Sequence, residues 1–254
     1  MARIVKTDSS LPLLRMNTAR NLLFIVTFLC GFALQAEAQT AEPKLSYYSV
    51  DDASDVELNP GESGSAQAPL EFSCQANIND NGGRYRHISE WRVYRSDKGE
   101  DEPLLTRFDD DITYRLTASG GYGIKLYVTF ISENQDTVQY ESDPMTIVIS
   151  ESKLTCPDGF SPNGDGINDV YHITYQSIVK LSGIVFNRWG QKLHTFTLDN
   201  LAEGWDGMQN GKPVRDGVYF VNIDAVGSDG LHYKIKKAIN VLKGFKETGD
   251  TTTE

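Results

Sequence analysis

The sequence predicts an all-β protein, two small β-sandwiches in tandem behind an N-terminal export signal. Three observations predict it. Apolar residues recur at every second position in short runs, and clusters of Gly, Asn, Asp and Pro punctuate those runs. Between residues 44 and 150 no stretch holds a 3.6-residue period long enough for a helix.

The chain has 254 residues with a hydrophobic share of 39%, enough for one or two globular cores, and two are expected. Its 35 acidic and 24 basic residues give a formal charge of -11. That balance excludes nucleic acid as a partner and disfavours anionic lipid, because both need a basic face.

Residues 1–38 read as a secretory signal peptide. Arg20 precedes the apolar run Leu22 to Leu34, and Ala36-Glu37-Ala38 puts small residues at the two positions a signal peptidase reads. A transmembrane anchor is the alternative, but the run is shorter than the ~20 residues a span needs. Gln35 and Glu37 close it, so no direct membrane span is expected in the mature protein. Met16 would serve as the true start, making residues 1–15 an extension. Cys30 follows Thr27-Phe28-Leu29, without the small residue found beside a lipidated cysteine.

Export leaves Cys74 and Cys156 in an oxidising compartment. They are candidates for a disulfide between the front of the first domain and the threshold of the second. Two separate buried thiols are the alternative, since spacing does not reveal the Cα distance.

The first domain is expected over 44–150. Leu70, Phe72, Cys74 and Ala76 alternate, as do Trp91, Val93 and Arg95, and then Tyr122, Ile124, Leu126, Val128 and Phe130. Met145 to Ile149 closes the set. Asn81-Gly82-Gly83, Asp97-Lys98-Gly99 and Ser119-Gly120-Gly121 are the turns. Asp109-Asp110-Asp111 reads as a solvated turn rather than a calcium site. With Trp91 on a mid-sequence strand and the late strand Gly121 to Val128, this half resembles polycystic-kidney-disease-like, immunoglobulin-type modules of bacterial surface proteins. It departs from them in having Val93-Tyr94-Arg95-Ser96 after the tryptophan. The resemblance implies display rather than catalysis. Trp91 reads as a core residue in preference to a glycan-stacking one.

Between the halves lies Phe160-Ser-Pro-Asn-Gly-Asp-Gly-Ile-Asn-Asp169. Pro162 presets one torsion, Gly164 and Gly166 permit positive φ, and Asn163, Asp165, Asn168 and Asp169 can bond nearby backbone amides, so a tight structured loop is expected. Asn163, Asp165 and Asp169 also alternate as oxygen ligands do in Ca2+ loops, with Gly166 at the bend. Ile167 stands where another ligand belongs and no bidentate Glu follows, so self-capping is the preferred reading and Ca2+ the candidate cofactor left beside it.

Beyond the loop the strand candidates are Val170 to Tyr175, Ile178 to Asn187, Lys192 to Leu198, Gly217 to Val226 and His232 to Leu242. Turns fall at Asn187-Arg188-Trp189-Gly190, Gly204-Trp205-Asp206-Gly207 and Gly211-Lys212-Pro213, and Asp216-Gly217 opens the strand that carries Tyr219. Four ordered motifs, Phe160 to Asp169, Phe186-Asn187-Arg188-Trp189-Gly190, Gly204 to Gly207 and Asp216-Gly217-Val218-Tyr219, resemble the gliding motility-associated C-terminal domain. That family is the type B sorting domain of the type IX secretion system of Bacteroidota. The resemblance covers 154–243 and leaves a polar tail at 244–254. It implies recognition by the type IX secretion machinery, a partner outer-membrane barrel of the PorP/SprF type, and a final place at the cell surface or in the medium.

His87, His172, His194 and His232 stand singly, without the spacing of metal or nucleophile motifs. The expectation is a secreted, non-enzymatic surface protein acting as an accessory or carrier subunit. The alternative is an adhesin whose first domain binds glycan or host protein.

Overall fold

A computed structural model describes residues 39–80 and 82–244. The expected signal segment, with Met16 and Cys30, lies outside the described residues, as does all of the expected tail but Gly244.

The first half contributes β1 (Thr40–Ala41), β2 (Lys44–Ser49), β3 (Ser54–Leu58), β4 (Ser63–Ala66), β5 (Leu70–Gln75) and β6 (Ile78–Asn79). It continues with β7 (Tyr85–Arg95), β8 (Pro103–Arg107), β9 (Asp111–Leu116), β10 (Gly120–Ser132), β11 (Thr137–Glu141) and β12 (Met145–Ile149). One sheet runs β4-β12-β10-β7-β8, with β11 also on β10, and the other β3-β2-β5-β9. This is a β-sandwich whose inward positions are the alternating ones. Tyr122, Ile124, Leu126, Val128 and Phe130 of β10 are all buried, and Leu126 lies opposite Trp91 of β7. On the outer face Arg92 stacks over Tyr127 at 4.6 Å, while Lys125 is held between Glu100 and Glu141.

Trp91 is 0% exposed, and its Nε1 donates to the Asp110 carbonyl at 3.2 Å. The acidic run is therefore more than a solvated turn. The Asp110 carboxylate accepts from Ser89 Oγ at 2.5 Å and from His87 Nε2 at 3.1 Å, fastening β7 to the start of β9. The Ser89 hydroxyl first, then His87, holds that carboxyl below its ordinary range against the opposing effect of burial.

The second half contributes β13 (Lys153–Thr155), β14 (Gly159–Phe160), β15 (Thr174–Gln176), β16 (Ile178–Phe186) and β17 (Lys192–Phe196). It ends with β18 (Met208–Gln209), β19 (Lys212–Pro213), β20 (Gly217–Gly227) and β21 (His232–Val241). A five-stranded sheet, β14-β21-β20-β16-β17, carries one layer. The ribbons β13-β15 and β18-β19 stand beside it, and Leu154, Tyr171, Ile173, Trp205 and Val214 join Val185, Phe196, Val221, Ile223 and Ile239 in one core. The strand expected over 170–175 is shorter than the alternation suggests. Tyr171 pairs with Trp205 across an isolated bridge, and only 174–176 enter a ladder.

Both long central strands start with the same device. Tyr122 donates its hydroxyl to the Ala118 carbonyl and Tyr219 to that of Arg215, each at 2.7 Å. Each tyrosine follows by two residues a glycine at positive φ, Gly120 and Gly217, and in each case the hydroxyl ties the strand entry to the preceding turn in the manner of a tyrosine corner.

Cys74 and Cys156 are free thiols, one in each core. The disulfide alternative is corrected accordingly, because the alternating pattern that buries Cys74 inside the first sandwich takes it away from Cys156. Burial raises both thiol pKa values, so both are protonated at neutral pH.

Candidate functional site

The loop 160–169 is built around one carboxylate. Asp169 Oδ1 accepts from the amides of Asn163 at 2.9 Å and Gly164 at 2.7 Å, and its Oδ2 from Gly166 at 2.8 Å. Asn163 Oδ1 accepts from Asp165 N and Asp165 Oδ1 from Ile167 N, each at 2.9 Å. Ser161 N closes the loop on Asn168 O at 2.8 Å. Gly164, Gly166 and Asn168 all take positive φ, as the turn chemistry requires. The oxygens named as candidate calcium ligands accept loop amides in this arrangement, and among the described residues no group of three or more His, Cys, Asp or Glu is placed to hold a metal ion.

The motifs then converge on one aromatic cluster. Phe160 packs on Tyr171 at 5.8 Å and on Trp205 at 5.3 Å, and Trp205 meets Tyr219 edge-on at 5.9 Å. Trp205 is 1% exposed and donates Nε1 to the Met208 carbonyl at 3.0 Å. Gly207 passes so close to Pro162 and Phe160 that a Cβ there would lie 3.0 Å from Pro162 Cγ. The polar motif residues hold turns. Asp206 Oδ1 accepts from Met208 N, Asn187 Oδ1 from Trp189 N and Gln191 N, and Asp216 Oδ1 from Lys243 N. Gly190, like Gly207, supplies positive φ.

Arg188 and Trp189 differ from the rest. Trp189 is 77% exposed, and the Arg188 guanidinium lies 4.6 Å over its ring. They rim a cleft of about 570 Å³ whose walls include Asn187, Arg215, Val218 and Phe220. One of the four motifs, Phe186 to Gly190, therefore supplies an outward aromatic and cationic pair, while Phe160, Trp205 and Tyr219 of the other three serve the core.

His194 sits beneath this cluster, 4.6 Å from the Phe196 ring and 6.5 Å from Trp205, with Nε2 buried and unbonded. Burial lowers its pKa, so the folded state disfavours the charged ring. Its stabilising contribution is present above the unfolded value near ~6.5 and is lost as pH falls below it. Asp169, lowered first by the Gly164 amide, and Asp229, lowered first by the Leu231 amide, act with the same sign nearer pH ~4. The unfolding temperature is expected to fall in two limbs on acidification, one beginning near pH ~6.5 and one near ~4. Thermal unfolding of His194→Gln across the same pH range is expected to lack the first limb alone.

Sequence reasoning missed the residues that join the two halves, Ser150, Ser152, Ser177, Ser228 and Asp229. They look like ordinary turn residues, and no local pattern marks them.

Residues 154–241 match the family model described as the CHU_C Type IX secretion signal domain. No curated protein matches the chain. Among solved structures, dimeric latent PorU from Porphyromonas gingivalis is 12% identical, with 79% of this chain and 20% of that chain covered and a TM-score of 0.24. The fibronectin(III)-like modules of Clostridium thermocellum CbhA are 13% identical, with 72% and 89% covered and a TM-score of 0.22. The FN1-FN3 domains of chicken CNTN1 are 10% identical, with 78% and 76% covered and a TM-score of 0.25. The chain thus spans about a fifth of the PorU chain it aligns with.

Proposed function

We propose that this secreted protein, whose residues 154–241 form a type IX secretion signal domain, is a non-catalytic accessory or carrier subunit that docks on a PorP/SprF-type outer-membrane barrel. Export by the type IX system follows from the signal domain itself. Among the described residues no helix is long and apolar enough to cross a membrane.

The observation that carries the docking is the Arg188–Trp189 pair. An exposed tryptophan stacked with arginine contributes nothing to the core beneath it, yet these are two of the residue types that dominate protein interfaces. The cleft beside them offers an inserted segment a mixed wall, apolar at Leu193, Val218 and Phe220 and polar at Asn187 and Asp216, with Arg188 and Arg215 as its cations. A non-catalytic role is supported by how the polar side chains are spent. His87 and Ser89 both bond Asp110, which leaves no hydroxyl-to-imidazole relay between them. The adhesin alternative loses the tryptophan that sequence offered it, because Trp91 is buried in the first core.

The double variant Arg188→Ala/Trp189→Ala is expected to keep its unfolding temperature within a degree or two and to lose capture of the barrel by about 30-fold, the scale of an interface hot spot. Quantitative capture from detergent-solubilised outer membrane reads this. Undiminished capture would move the docking surface elsewhere, and glycan-array binding by the first half would favour adhesion.

A further inference from the structure

A polar seam, buried at Ala68, Ser177 and Ser228 and open to solvent at Asp229, joins the two halves through residues far apart in sequence. On the first-half side it uses Gln67, Ala68, Ser119 and Ser150, and on the second-half side Ser177, Ser228 and Asp229. Ala68 N donates to Ser177 Oγ at 3.1 Å, and Ser177 N to Gln67 Oε1 at 3.3 Å. The hydroxyls of Ser150 and Ser177 lie 2.7 Å apart. Ser119 N donates to the Ser228 carbonyl at 3.0 Å, and Ser228 Oγ to the Ser150 carbonyl at 3.0 Å. Ser177 is 1% exposed and takes φ +48°, a left-handed conformation unusual for serine, which the surrounding bonds fix. Val179 of β16 packs on the first core.

The connection itself is short and held at both ends. β12 ends at Ile149 and β13 begins at Lys153. Ser150 N donates to the Ala66 carbonyl at 3.0 Å. Ser152, 8% exposed, donates N and Oγ to the two carboxylate oxygens of Asp229, at 3.2 and 2.8 Å, and its Oγ lies 2.9 Å from Tyr233 OH. Glu151 and Lys153 are exposed, and the backbone of Lys153 is held in the ladder opposite Gln176. Gly227 makes this fit possible, since a Cβ there would lie 2.0 Å from Ser152 Oγ and 2.4 Å from Ser152 Cβ.

We infer that the secretion signal domain is a permanent part of the mature protein, because the junction to the first half, though exposed at single side chains, offers no run of consecutive residues free of the bonds that hold it. A protease must draw several consecutive residues into an extended conformation. Here that requires opening the Ser152–Asp229 bonds and the Ser177 seam together, so cleavage follows the population of an opened state rather than of the native one. The address and the displayed module then travel and act as one body. Retention holds whether or not the Arg188–Trp189 cleft is the docking surface.

The full chain, exported from a type IX-competent bacterium and recovered from the surface or medium, is expected to give an intact mass that includes the residues through 241. A mature C-terminus between 149 and 154 would overturn the inference. In vitro, limited proteolysis of the wild type is expected to cut exposed turns such as 133–136 well before the 149–154 segment. Gly227→Ala, which wedges Ser152 outward without touching either core, is expected to speed cutting at 149–154 by about tenfold. If that variant does not fold, Ser152→Ala, which loses only the bonds to Asp229 and Tyr233 made by Oγ, is expected to move the rate in the same direction. A wild-type junction cut as fast as the exposed turns, or a rate unchanged in both variants, would also overturn it.

Discussion

Trp205→Ala is expected to destabilise the second half by about 3–5 kcal/mol, as deletion of a fully buried large aromatic does. The indole lies at the centre of the cluster formed by Phe160, Tyr171, His194 and Tyr219, so truncation leaves a cavity bordered on several sides by rings that cannot collapse together. It also removes the donor that satisfies the Met208 carbonyl. Urea denaturation followed by tyrosine and tryptophan fluorescence measures the loss. Trp189→Ala, in a motif whose local sequence looks equally aromatic and glycine-rich, is expected to change stability by less than about 0.5 kcal/mol. Equal costs for the two would mean that the exposed ring has a structural role.

Trp91→Ala is expected to cost the first half about 3–5 kcal/mol by the same mechanism. Its ring is enclosed between the two sheets, and its Nε1 bond to the Asp110 carbonyl ties the β9 entry to β7. Loss of the ring would loosen the carboxylate that Ser89 and His87 share, so the damage reaches beyond the cavity. Calorimetric unfolding is expected to show a lower transition temperature with secondary structure intact at low temperature. A variant of unchanged stability that had lost glycan binding would instead place Trp91 at a ligand surface.

The strands were legible because burial in a sandwich is periodic. Every second residue of 122–130 faces the core, and the sequence spells that out in Tyr, Ile, Leu, Val and Phe. The loop 160–169 was legible for another reason, since its Asn, Asp and Gly residues act on backbone atoms only a few residues away. What could not be read depends on contacts between distant segments. Trp189 and Trp205 sit in similar glycine-flanked turns, and only the packing of Phe160 and Tyr171 decides which is covered. Two cysteines in an exported chain suggested a bridge, but the faces their strands present separate them into different cores. The serine seam is invisible for the same reason, because each bond joins residues from 27 to 110 positions apart. The acidic run at 109–111 misled locally, since solvation is the usual fate of such a run and Asp110 is diverted from it by a strand 21 residues away.

The claim that the exported chain works as a docked subunit rests on a partner. Affinity capture of the native, full-length protein from solubilised outer membrane, with the recovered proteins identified and quantified by mass spectrometry, tests it most directly. A PorP/SprF-type barrel recovered in near-equal molar amount, and lost when Arg188 and Trp189 are both alanine, is the expected result. Recovery of the protein from the surface without any barrel would contradict it.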